Sequence, residues 1–92
     1  MGDVADRLRS KLERAFAPTL LTIADDSAKH SGHAGAREGG ESHFSITIVS
    51  SNFEGLSRVA RQRLVNACLA EDLAGPVHAL AMRTLAPSEP QD

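Results

Sequence analysis

Four histidines, His30, His33, His43 and His78, and one cysteine, Cys68, are the side chains whose types could do metal chemistry. Neutral imidazole is a borderline-soft ligand suited to Zn, Cu, Fe or Ni, and a glycine-bearing loop can bring such ligands to a partly open site. His30 and His33 lie in such a stretch, so two or three nitrogens could meet a metal. The plainer alternative is that the loop histidines are ordinary polar residues and that His78 pairs its ring with a backbone carbonyl. A lone cysteine excludes an intrachain disulfide and a thiolate zinc site. Cys68 falls at helical spacing with Ala60, Leu64 and Ala67, which suits a small buried hydrophobe better than a nucleophile. Ser27, Ser42, Asp25 and Asp26 with a histidine do not make a hydrolase, because no G-x-S-x-G elbow is present. Gly39-Gly40-Glu41 is not a phosphate loop, since neither phosphate-binding glycine pattern occurs between a strand and a helix. No catalytic residue is expected. Arg58, Arg61 and Arg63 form a second group that could touch phosphate or an acidic partner. Against that, Arg63 points away from the other two, and Glu71 and Asp72 balance the charge downstream.

The elements that must position these residues can be read from periodicity. Val4, Leu8, Leu12, Ala15 and Phe16 share one helical face, with Asp3 as N-cap, and Pro18 stops the helix near Ala17. Thr19 to Asp25 is β-compatible. The stretch from Asp26 to Glu41 holds four glycines and little apolar material, so it reads as a loop. In His43 to Ser50, Phe44, Ile46 and Ile48 alternate with Ser45, Thr47 and Val49, the period of a strand with one buried face. Asn52 to Leu56 is a turn, Ser57 caps a second helix running to about Leu73, and Gly75-Pro76 ends it. Val77 to Leu85 is again strand-like, followed by a polar tail.

The order helix, strand, strand, helix, strand predicts an α+β fold. Two strands joined by a loop pair antiparallel, whereas a strand-helix-strand unit returns the chain in the same direction. The last strand should therefore lie parallel to the second. That puts His78 beside His43 at one end of the sheet, where the loop carrying His30 and His33 also arrives.

Composition narrows the class. The 92 residues fit one domain, with a core over about residues 4–87 and a polar tail at 88–92. With 41% hydrophobic and 24% charged residues the chain should fold, and with three Phe and neither Trp nor Tyr its core should be built from Leu, Val, Ile and Ala. A net charge of -2 disfavours tight non-specific binding to nucleic acid. The lone thiol fits a reducing, cytoplasmic compartment, and neither a signal peptide nor a membrane-spanning run is visible.

Asp25-Asp-Ser-Ala-Lys-His30, then Glu41-Ser-His-Phe through Asn52-Phe-Glu-Gly55, then Arg61 through Val77-His-Ala-Leu80 to Pro87 resemble the BolA family. The resemblance runs from about Asp6 to Pro87. It implies a fold similar to a class II K-homology domain, an αββαβ chain with a three-stranded mixed sheet covered on one face by helices. It also implies a non-enzymatic adaptor that pairs with a monothiol glutaredoxin around a bridging [2Fe-2S] cluster, completed by the glutaredoxin cysteine and glutathione, in cluster trafficking or iron regulation. No cofactor is expected in the isolated chain, and no small-molecule substrate or membrane. The implied ligands are His78 and a loop histidine, His30 or His33. Two features depart from the pattern. Arg61-Gln62-Arg63 stands where the family often has R-H-R, and the G-x-x-G loop of true K-homology domains is missing, so nucleic-acid clamping by that loop is unsupported. Some BolA proteins are described as transcriptional regulators. A DNA-binding helix bearing Arg58, Arg61 and Arg63 is therefore the alternative.

Overall fold

The computed structural model of the chain describes residues 3–26 and 43–89. Val4, Leu8, Leu12 and Phe16 recur one turn apart, and all four are buried along the inner face of α1 (Asp3–Phe16). Asp3 does not cap this helix from outside. It lies within the first turn with Asp6, where the helix dipole favours negative charge. At the other end Ala17 adopts the left-handed conformation (φ 43°) and donates to Glu13 O at 3.0 Å before Pro18 ends the ladder.

β1 (Leu20–Asp25) pairs antiparallel with β2 (His43–Val49), and β3 (Ala79–Leu85) pairs parallel with β2. β2 is thus the central strand. Its Phe44, Ile46 and Ile48 are buried as the alternation requires, with Leu21 and Ile23 of β1 and Leu80 and Met82 of β3 packed beside them. The fold is α+β, with a three-stranded mixed sheet and helices against one face. The core is less purely aliphatic than composition suggests. All three phenylalanines, Phe16, Phe44 and Phe53, are buried, and the Phe16 and Phe53 rings meet in a tilted pair, centroids 5.2 Å apart and planes at 41°.

After β2, Ser50 caps a 3₁₀ turn (Ser51–Phe53) by accepting from Asn52 N, and its hydroxyl donates to Phe16 O at 2.6 Å. Gly55 then takes a positive φ of 77°, which its lack of Cβ permits. Ser57 caps α2 (Arg58–Cys68) through Ala60 N. The second helix is not continuous to Leu73. It breaks at Leu69 (φ -105°, ψ 18°) and resumes as the short α3 (Ala70–Ala74). Its inner stripe also differs from the expected one. Arg61, Val65, Leu69 and Asp72 are buried, whereas Leu64 is 44% exposed. Two charged residues occupy inward positions because each finds opposite charge there. Arg61 Nη1 meets Glu89 Oε1 at 2.6 Å, and Asp72 accepts from Arg7 and Lys11 of α1 at 2.6 and 2.8 Å.

Candidate functional site

The parallel pairing of β2 and β3 sets His43 opposite Ala79, so His78 arrives at the end of the sheet where β2 begins. The two imidazoles lie with ring centroids 6.2 Å apart and planes tilted by 33°. His78 is exposed and His43 half-buried. β1 ends at the same place, because Asp26 N donates to His43 O at 2.7 Å, and the Ser45 hydroxyl bonds the Asp26 carboxylate. His30 and His33 lie outside the described residues. The chain that carries them connects Asp26 to His43, and both of these lie at this end of the sheet.

Chemically, this end offers two accessible imidazoles. Among the described residues no group of three or more His, Cys, Asp or Glu is arranged to hold a metal ion. Cys68 is remote from this role. It sits half-buried on α2, its Sγ 3.5 Å from Lys11 O, and burial pushes its thiol up from the ordinary range. The protonated form is favoured there, which is the wrong form for a ligand.

The arginine group divides. Arg61 is 8% exposed, and its guanidinium donates to Leu56 O at 3.0 Å, Thr84 O at 3.1 Å and Glu89. It is taken up inside the fold, so it cannot serve as the phosphate or partner contact expected of it. Arg58 and Arg63 remain on the surface. Arg58 borders a groove of about 330 Å³ with Gln62 of α2 and Met82, Arg83, Thr84 and Leu85 of β3. Arg83 is not among the sequence candidates. Its one available signal is position, on the last strand of an αββαβ order, which must lie at a sheet edge.

A protein-family comparison matches residues 12–89 to the BolA-like proteins. The chain belongs to the BolA-like family. BolA-like protein 1 of Homo sapiens is 47% identical over 89 residues, covering 97% of this chain and 62% of the relative. The chain thus spans under two thirds of that relative's length. The protein called DNA-binding transcriptional regulator BolA in Vibrio cholerae is 42% identical over 86 residues, covering 94% of this chain and 77% of the relative. The solved BolA domain of SufE1 from Arabidopsis thaliana superposes with a TM-score of 0.86 at 38% identity, covering 98% of this chain and 99% of the other. No helix among the described residues is long and apolar enough to cross a membrane.

Proposed function

We propose that this BolA-like chain is an adaptor, not a catalyst, that forms a heterocomplex with a monothiol glutaredoxin and supplies ligands to a shared [2Fe-2S] cluster. The observation that supports the reading is the exposed His78 beside His43, at the end of the sheet from which the His30 and His33 segment departs. The donor set fits a shared cluster. Imidazole nitrogens can replace thiolates on one iron, which raises the potential, and two such ligands are half of what a cluster needs. Cys68 is not positioned to add one, so the remaining ligands would come from the glutaredoxin cysteine and glutathione. In this chain His78 would hold the iron with His30 or His33, and protonating either would release it. The lone, protonated thiol suits a reducing compartment such as the cytoplasm.

The test is reconstitution with a monothiol glutaredoxin, iron, sulfide and glutathione, followed by visible circular dichroism and size-exclusion chromatography. Wild type should give a coloured heterodimer. His78→Ala should lose its dichroic bands, and comparison of His30→Ala with His33→Ala should identify the second ligand. Absence of a heterodimer, or identical spectra for wild type and His78→Ala, overturns the reading.

The named activity of the Vibrio cholerae relative favours a second reading, a DNA-binding regulator. Exposed Arg58 and Arg63 would then be the contacts. Binding to duplex DNA should weaken steeply with salt, with a log-log slope near -2 for about two phosphate contacts, and Arg58→Ala should reduce the slope by about 1. A salt-independent signal, or none at low salt, removes it.

A further inference from the structure

β3 is an outer strand, and only one end of its free edge is closed. Ser50 N donates to Leu85 O at 3.0 Å, so the backbone of Leu85 faces β2. Because successive residues direct their N–H and C=O groups to opposite sides of a strand, Leu80, Met82 and Thr84 turn theirs outward. The far end is capped, since Thr84 O accepts from Arg61 Nη1 and Ala86 N donates to Glu89 Oε1 at 2.6 Å. Toward His78 the edge stays open. The N–H and C=O of Leu80 and Met82 and the N–H of Thr84 meet no partner among the described residues. Ala79-Leu80-Ala81-Met82 also carries no charge, no proline and no bulge in its register, the devices that blunt the edge strands of natural sheets.

The open groups are complementary to themselves. When a second copy approaches antiparallel, related by a two-fold axis through Ala81, Leu80 of each copy stands opposite Met82 of the other, and each N–H meets a C=O that is equally open. Thr84 then stands opposite His78 of the second copy, and its N–H meets the His78 carbonyl. Moving the axis to Met82 would aim the Leu80 N–H at Thr84 O, which Arg61 already holds, and moving it to Leu80 would set Thr84 opposite Pro76, outside the strand. The side chains agree with the Ala81 register. On the outer face Ala81 meets Ala81, and Arg83 stands opposite the exposed Ala79, so like charges do not face each other. On the helix face the half-buried Leu80 and Met82 meet as an apolar pair across the joint. Beside Met82 and Thr84 lies a groove of about 330 Å³, walled by Arg58 and Gln62 of α2, which gives room to the incoming Leu80 and His78 side chains. Thr84 lines this groove, is 7% exposed, and its hydroxyl has no hydrogen-bond partner among the described residues. His78 of the second copy, its Cβ about 5 Å away at the directly opposed position, can supply one. We propose that the His78 end of the β3 edge is a self-association surface, through which two copies of this chain join their sheets edge to edge.

The β3 strand has seven residues, against roughly 20–30 a side in a standard interface, so the dimer is weak and calls for concentrated protein. The surface does not depend on the cluster reading, and the test is run with EDTA and a thiol reductant so that neither a bridging metal nor Cys68 oxidation can link two copies. Sedimentation velocity and amide NMR of the full chain are followed from roughly 20 µM to roughly 1 mM. Wild type should move from monomer toward dimer, and the Leu80, Met82 and Thr84 amides should shift and exchange more slowly as it does. Ala81→Lys and Ala81→Glu place like charges face to face at the axis, on an exposed position, so each variant alone should dimerise about tenfold more weakly. An equimolar mixture of the two should recover a dimer at least as tight as that of wild type. The proposal is overturned if wild type stays monomeric at the highest concentration, if the shifting amides lie on other elements, if both Ala81 variants dimerise as wild type does, or if their mixture does no better than either alone.

Discussion

Arg58 and Arg61 stand three positions apart on α2 and do unlike things. Arg58 reaches solvent at the groove, while Arg61 is buried and holds two carbonyls and a carboxylate with one planar fork. Its three partners come from separate places in the chain: the loop before α2, the end of β3 and the turn after β3. Removing it therefore leaves Leu56 O, Thr84 O and Glu89 without the cation that ties them together. Arg61→Ala should cost about 1.5–3 kcal/mol, because the Leu56 and Thr84 carbonyls lose a charged donor, whereas Glu89, 40% exposed, is rehydrated. Arg58→Ala and Arg63→Ala should stay within about 0.5 kcal/mol of wild type. Urea unfolding of the three variants checks this, and an Arg61→Ala midpoint equal to that of Arg63→Ala would refute it. The adjoining Thr84 Oγ1 is buried with no hydrogen-bond partner among the described residues. The stabilising contacts at this corner thus run through the guanidinium and not through the hydroxyl.

Which elements can be read from sequence follows from how each is held. α1 is legible because Val4, Leu8, Leu12 and Phe16 carry its burial with apolar residues alone, and the β2 alternation is legible for the same reason. The parallel placement of β3, and with it the meeting of His43 and His78, follows from connection rules that need only the order of elements. The second helix is harder. An apolar-periodicity argument selects Ala60, Leu64, Ala67 and Cys68, yet the inner stripe is Arg61, Val65, Leu69 and Asp72, and the two charged members belong there only because of residues more than 25 positions away. Pairing at that range has no local signature, so periodicity alone assigns Arg61 to the surface. The break at Leu69 is hidden as well. No glycine or proline marks it, and Leu69 and Leu73 on either side of it both pack into the core. The groove beside β3 cannot be foreseen either, because Arg58 and Gln62 come to face Met82 through Leu85 only once α2 is packed on the sheet.

Those two long-range ion pairs also govern how the protein as a unit responds to acid. Asp72 joins α3 to α1, and Glu89 joins the turn after β3 to α2. For Asp72, burial works against the charged form, but hydrogen bonds from Lys11 and Arg7 outweigh it and hold the carboxyl below the ordinary carboxylate range. Glu89 is held low by the Ala86 amide first and the Arg61 guanidinium second. A carboxyl that binds its proton less readily folded than unfolded stabilises the fold while both states are ionised. As pH falls, the unfolded chain takes up the proton first, and the contribution is gone once the folded carboxyl protonates too. The unfolded values lie at about 3.9 for Asp and 4.3 for Glu, so both contributions are complete above about pH 5 and drain away below it. The urea midpoint should accordingly fall as pH is lowered from about 5 to 3 through these groups. Asp72→Asn should be less stable at neutral pH by about 1.5–3 kcal/mol, the worth of hydrogen bonds to a charged group, and should lose less on acidification than wild type. Wild-type and Asp72→Asn curves that fall in parallel between pH 5 and 3 would show that the joint between α1 and α3 does not carry this acid sensitivity. Convergence of the two curves at low pH would show that it does, since the protonated Asp72 carboxyl and the neutral amide that replaces it deprive Arg7 and Lys11 equally of the charge at this position.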